Sequence, residues 1–361
     1  MRPRELLERL ADKVREDKVL GGMTPRPPPD VLEVCRLYSW QNMGDPESYT
    51  ASREAASYIV STASLAVFGM EYPGWVTSGA SEGNLLALYA LREMGYSKVL
   101  YFQSAHYSIP KSARILGMRA EPLPVAGGYE PLLGELKSRL REGDIVVATV
   151  GTTETGYIDP VLEVAETAEA RGAVVHVDAA FAGPIMRYLG DGKVPRRLRG
   201  AVASIVMDMH KIPEAPAGVG LLLARDREFI EFLYHSAPYI PSGRQFGVLG
   251  TRNGGPVVAA AYALSKMVEY GVERLASELM RASETLVSVL EPHGYGVLHG
   301  VETPILCLIH PSHNSVFMRL GEMGYRAYRC LGGRGVRMAV MPHLLPELGE
   351  VARILARAAG G

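Results

Sequence analysis

Four short apolar runs, KVLYF at 98–102, IVVATV at 145–150, AVVHVD at 173–178 and ASIVMD at 203–208, recur along the chain with helix-like stretches such as PVLEVAETAEARG between them. A strand that is apolar on both faces must be covered on both faces. The pattern therefore specifies an α/β chain built on a mostly parallel sheet with helices on either side. Ligands of such sheets sit outside the carboxyl ends of the strands, so the residues that close these runs are the ones to inspect.

The 361 residues suffice for a large domain and a smaller one, at roughly 100–200 residues each. The first twenty residues read as an amphipathic helix. Proline fixes φ and lacks an N–H, so TPRPPPD ends that helix and makes residues 1–50 an N-terminal arm. Helical spacing returns from Ser52 to Phe68 and stops at Gly69, and WVTSGASEGNLLALYALREMG reads as a tight turn feeding a helix. Residues 51–280 form the expected large domain. Its last part is a long segment containing GTRNGG, with a hinge, leading into one long helix, AAYALSKMVEYGVERLASELMRAS. PILCLI, HNSVFMRLGEMG, YRAYRCL and VRMAVM then read as β-α-β-β-α, a small C-terminal α+β domain over 281–361.

A formal net charge of −1, from 38 basic and 39 acidic residues, gives no electrostatic footprint for nucleic acid and favours a small, locally bound ligand. Cys35, Cys307 and Cys330 are far apart and lack CxxC spacing, so neither a disulfide framework nor a metal site is expected. The N-terminus has no apolar signal core, and no apolar run reaches about 18 residues. Cytoplasmic residence without a membrane partner is the expectation.

Several inferred strand ends carry polar residues. Asp178 closes an apolar strand, where a carboxylate is costly unless paired. It either caps or pairs structurally, or it faces a protonated ring nitrogen, for which the small Ala179 and Ala180 leave space. Lys211, in MDMHKIPEAPAG, lies between an apolar run and a Gly/Pro-rich turn, and a lysine that forms a Schiff base with pyridoxal phosphate needs such an acidic partner. TSGASEGN opens a helix, where the Ala80 and Ser81 N–H groups and the Ser81 hydroxyl suit a phosphate, although an ordinary N-cap fits equally. Glu82 and Asn84 fall in the first turn. His106, after another strand, is a structural histidine or a ring that stacks on a cofactor. Thr152 and Thr153 form an ST-turn or place a hydroxyl at the ring edge.

Taken together, NMGDP at 42–46, TSGASEGN at 77–84, SAHYS, VGTTETGYIDP at 150–160, HVDAAFAG at 176–183, DMHKIPEAPAG at 208–218, GTRNG at 250–254 and VRMAVMPH at 336–343 resemble the group II pyridoxal-phosphate-dependent amino acid decarboxylases, most closely the archaeal-type tyrosine/aspartate branch. The resemblance implies fold-type I, with a seven-stranded, mostly parallel sheet and a small C-terminal domain. It further implies that Lys211 carries the cofactor as a Schiff base, Asp178 pairs with its ring nitrogen and His106 stacks over the ring, these three being the catalytic set. Ala180 would support the opposite face. Ala80 and Ser81 would cradle the phosphate with Asp208 and His210 nearby, Thr153 would lie beside the ring, and Thr251 would reach the neighbouring subunit's phosphate in a homodimer with shared sites. Decarboxylation of L-aspartate to β-alanine or of L-tyrosine to tyramine, with a place in coenzyme A biosynthesis, is the implied activity.

The chain departs from the branch at Met209, where relatives carry proline, and at ESYTASRE after NMGDP. A carbon–carbon lyase resembling sphingosine-phosphate lyase is the close rival. A cysteine desulfurase would need a reactive loop thiol, for which Cys330 is the candidate. Arg337, Arg252 and Arg244 are candidates for a substrate carboxylate or are structural, and Tyr49, Tyr239 and His235 are candidate pocket residues.

Overall fold

A computed structural model describes residues 3–5, 18–190 and 192–360. Most of the expected N-terminal amphipathic helix lies outside the described residues. The strands used below are, in chain order, β1 (Val19–Leu20), β2 (Gly74–Thr77), β3 (Lys98–Phe102), β4 (Arg119–Leu123), β5 (Asp144–Thr149), β6 (Val174–Asp178), β7 (Val202–Asp208), β8 (Gly220–Ala224), β9 (Ile305–Ile309), β10 (Arg326–Cys330) and β11 (Gly335–Ala339).

The large sheet is seven-stranded, in the order β2-β8-β7-β6-β5-β3-β4. Every pairing from β7 to β4 is parallel, and β8 alone runs against both its neighbours. The carboxyl ends of β2, β3, β5, β6 and β7 therefore share one edge. β5 to β8 are buried along their whole length. Alternate side chains feed opposite faces, as two-residue periodicity requires: Val146 and Ala148 pack in one apolar cluster, Ile145 and Val147 in the other. Helix Thr50–Phe68 covers the first face and helix Ala80–Glu93 the second.

The second sheet has four strands, β1-β10-β11-β9. β1 pairs parallel to β10 through Val19 with Arg326 and Leu20 with Ala327. A two-residue strand carries too little pattern to be read from sequence, and the N-terminal arm is thereby tied to the C-terminal sheet.

Two expectations are corrected. The single long helix before the C-terminal sheet is two, Gly255–Tyr270 and Val272–Leu290, broken where Gly271 adopts φ 101°, a conformation that glycine alone enters without strain. The cysteines do form a disulfide, Cys307–Cys330, with Cα atoms 6.0 Å apart, leaving Cys35 free. Sequence spacing hid it because the bridge joins strands that meet only through β11. A Cβ at Gly335 would lie 2.9 Å from Cys330 Sγ and 3.0 Å from Cys307 Sγ, so glycine is what lets the bridge pass there. Cys330 is consequently no free loop thiol, which removes the desulfurase reading.

Candidate active site

At the shared carboxyl edge a cavity is lined by Ala80, Ser81, Asn84, His106, Thr149, Thr153, Asp178, Ala180, Asp208 and Lys211, closed by Met23, Gly151, Phe181 and Ile305. Most of the residues singled out from sequence thus converge. Of the remainder, His210 stands beside Asp208 without entering the lining, and Thr251 is exposed and lies apart from the cavity of its own chain.

Lys211 follows β7 by three residues and places Nζ 3.0 Å from Asp208 Oδ2. The other Asp208 oxygen accepts the Ala80 N–H at 2.6 Å. This amide, expected to face an anion, is therefore engaged by a carboxylate, and Asp208 joins the helix N-terminus to the lysine. The close approach depends on glycine: Gly220, opposite both Thr77 and Asp208 in the sheet, has its missing Cβ only 2.6 Å from the Gly79 carbonyl carbon. His210 Nδ1 is buried without a hydrogen-bond partner.

Asp178 ends β6, buried, with Oδ1 accepting the Ala180 N–H at 3.0 Å and Oδ2 accepting Asn84 Nδ2 at 3.0 Å. Asn84 is fully engaged. Its Nδ2 also donates to Ser108 Oγ at 2.9 Å, and its Oδ1 lies 2.8 Å from His176 Nε2. His176 Nδ1 is 2.8 Å from Ser204 Oγ, and Ser108 Oγ is 2.8 Å from His106 Nδ1. Burial holds His176 down at about 4, against the pull of Asp178. His106 is lowered chiefly by burial, with Lys211 and Lys111 adding to the effect and Asp178 and Asp208 opposing it.

Sequence reasoning missed Asn84, Ser108 and His176 as parts of the site. Two signals were present. His176 is two residues before Asp178 on one strand and so shares its face, and Asn84 is four residues after Ala80 on one helix. Nothing in the sequence marks Ser108.

The residues suit pyridoxal phosphate. A primary amine, a buried carboxylate held by two donors, the small Ala180 and Gly151, and the unpartnered buried Thr149 Oγ1 of the lining suit a flat, anionic aldehyde with a basic ring nitrogen. Among the described residues no cluster of His, Cys, Asp or Glu could hold a metal, and no helix is long and apolar enough to cross a membrane.

Comparison with known proteins defines the class. The pyridoxal-dependent decarboxylase conserved domain matches residues 63–241. A Methanopyrus kandleri protein named "Probable L-tyrosine/L-aspartate decarboxylase" is 31% identical, covering 99% of this chain and 100% of its own. Among solved structures, a Burkholderia pseudomallei sphingosine-1-phosphate lyase aligns with a TM-score of 0.86 at 20% identity over 100% of this chain and 91% of its own. A Lactobacillus brevis glutamate decarboxylase gives 0.86 at 16% over 100% and 92%. The two structural likenesses show fold-type I, which hosts both reactions, and so the nearly full-length sequence match is what separates them. The chain belongs to the pyridoxal-dependent decarboxylase family. Its cofactor is pyridoxal phosphate and its reaction is the decarboxylation of an amino acid, with the carbon–carbon lyase alternative less favoured.

Proposed function

We propose that Lys211 is the amine that holds pyridoxal phosphate, that Asp178 faces its ring nitrogen, and that His106 and Ala180 lie on opposite faces of the ring. The observation that carries this reading is the convergence of Lys211 and Asp178 in one cavity, from the ends of adjacent parallel strands. Pyridoxal phosphate, when bound, supplies the sink for the electron pair released as the bond from Cα to the carboxylate breaks. The chain contributes position and charge. Asp178 would offer its carboxylate to the ring nitrogen, Asp208 holds the Lys211 amine in place at the cavity, and Met23, Phe181 and Ile305 complete the lining around it. Ser81, Thr153 and His210 supply polar contacts around the phosphate and ring edge, and Thr251, exposed in its own chain, serves the neighbouring subunit of a homodimer.

Among the three candidate arginines, Arg337 is the one we assign to the substrate carboxylate. Arg244 is exposed and paired with Glu231; Arg252 donates to the Val76 carbonyl and faces Glu82 at 3.9 Å. Arg337 is buried, donates only to the Gly21 carbonyl, leaves Nε without a partner and makes no ion pair with a described residue. Its guanidinium stacks on the Tyr328 ring at 4.3 Å and feels the charge of Glu154 without pairing with it, and a carboxylate received in two-pronged geometry would offset the remaining cost of its burial. Arg337 is not itself in the cavity lining, but its neighbours approach it: Gly21 lies two residues before Met23, and Ala339, two residues further along β11, pairs with Ile305.

L-aspartate, giving β-alanine for coenzyme A biosynthesis in the cytoplasm, and L-tyrosine, giving tyramine, are the proposed substrates, in line with the name of the Methanopyrus relative. Incubation with all twenty amino acids should yield one of these two amines, and none when Lys211→Ala replaces the native chain. An aldehyde product, or an undiminished amine from the variant, would overturn the reading.

A further inference from the structure

We infer that Asn84 is a positioning residue that carries the polarity of the Asp178 carboxylate through two hydrogen-bonded branches and thereby fixes His106 as the tautomer protonated on Nε2. The inference rests on the reading of the cavity above but concerns only groups of this chain.

The Asp178 carboxylate accepts hydrogen bonds and does not donate them. Only the amide nitrogen of Asn84 can therefore face Asp178 Oδ2 at 3.0 Å, which settles the orientation of the amide. Its oxygen must then face His176 Nε2 at 2.8 Å, so that nitrogen carries the proton. His176 Nδ1 is left as an acceptor, and the Ser204 hydroxyl at 2.8 Å donates to it. Along the second branch, the remaining proton on Asn84 Nδ2 goes to Ser108 Oγ at 2.9 Å. The Ser108 hydroxyl spends its own proton on His106 Nδ1 at 2.8 Å, and the Ser108 backbone N–H points to the same nitrogen at 3.3 Å. With two donors aimed at Nδ1, the His106 proton resides on Nε2. Every polar atom of Asn84 is used, and its side chain is buried, so no water needs to be invoked.

The consequence is a neutral imidazole in a cavity that already holds the Lys211 cation. The groups acting on His106 are Asp178 and Asp208, which favour its protonation, and Lys211 and Lys111, which oppose it, while the exposed Tyr107 ring packs on it at 4.1 Å. Taking a proton on Nδ1 would require the Ser108 hydroxyl to turn and would set that proton against the Ser108 backbone N–H at 3.3 Å, while Asn84 Nδ2, occupying one of the two lone pairs of Ser108 Oγ, favours the orientation in which the hydroxyl donates to Nδ1.

Asn84→Asp reverses the branch at constant size. Lying 3.0 Å from Asp178 Oδ2, its carboxyl shares one proton with that carboxylate and has none left for Ser108, so it accepts from the Ser108 hydroxyl and turns it until Ser108 Oγ accepts from His106 Nδ1. The test is histidine ring 15N NMR on the full chain, with pyridoxal phosphate bound and after its removal, His106 being assigned by its loss in His106→Gln. Expected for the native chain is an unprotonated Nδ1 at neutral pH in both states; expected for Asn84→Asp is a protonated Nδ1 and a His106 proton affinity raised about tenfold or more, the worth of one such bond. Should Asn84→Asp fail to fold, Ser108→Ala carries the same test through a raised affinity, with Ser108→Thr restoring the native midpoint. A protonated Nδ1 in the native chain, or unchanged His106 signals in a folded variant, would overturn the inference. Because tautomers are read without turnover, a failure here is distinct from a failure of Lys211 to bind the cofactor.

Discussion

Two buried residues of opposite behaviour set how this interior responds to pH. Burial pushes Asp159 up from an ordinary 3.8 to about 8, only partly offset by the Thr149 N–H it accepts at 2.7 Å, and burial holds His176 down from 6.5 to about 4. Asp159 is folded as the neutral acid, so its contribution to stability is complete below 3.8 and is lost as pH rises towards 8. His176 is folded neutral as well, so its contribution is complete above 6.5 and is lost as pH falls towards 4. Between 6.5 and 8 only Asp159 acts, costing the native chain about 2 kcal/mol across that window. Urea unfolding at the two pH values should show that loss for the native chain and not for Asp159→Asn; parallel behaviour of the two would contradict it. Arg337 offers a second prediction at this scale. Arg337→Lys keeps the charge but not the two-pronged geometry, and we expect kcat/KM to fall by roughly a hundredfold, on the order of a lost charged hydrogen-bond pair, with cofactor content unchanged by absorbance. Asp178 was legible because a lone polar residue ends an apolar run, and Lys211 because it lies between such a run and a Gly/Pro-rich turn. Asp159 and His176 were not singled out, although each lies in a motif that drew notice.

Among the elements, β8 is where the site's geometry is most exposed to substitution. Gly220→Ala would place a methyl group 2.6 Å from the Gly79 carbonyl carbon, where only backbone can yield. The turn before helix Ala80–Glu93 would move away from Asp208, and we expect a loss of about 1–3 kcal/mol from overpacking, read by denaturant unfolding, together with weaker retention of pyridoxal phosphate on dialysis. Stability and retention both at native levels would refute the role given to this contact. The small sheet makes a different prediction: thiol titration of the unfolded, unreduced chain should find one thiol, Cys35, and three after reduction. Strands of the large sheet were legible because their apolar runs are long and alternate with helices. The cross-strand disulfide and the two-residue β1 were not, since both depend on contacts between segments far apart in sequence. The break at Gly271 was hidden because apolar spacing continues on both sides of it.

On the scale of the whole molecule, one edge of a mostly parallel sheet gathers chemistry from segments spread between Ala80 and Lys211. That the strand ends would meet followed from parallel topology, and the convergence is what turned separate polar residues into a site. What lay beyond sequence was the wiring between them: Asp208 reaching back to the Ala80 amide, and Asn84 joining Asp178 to two histidines. The central claim is that the Lys211 amine holds pyridoxal phosphate. Borohydride reduction of the cofactor-loaded chain, followed by proteolysis and peptide mass spectrometry, tests it most directly. A single pyridoxyl group is expected on the peptide containing Lys211 and none on that of Lys211→Ala; a pyridoxyl group on another lysine of the native chain, with Lys211 unmodified, would place the cofactor elsewhere.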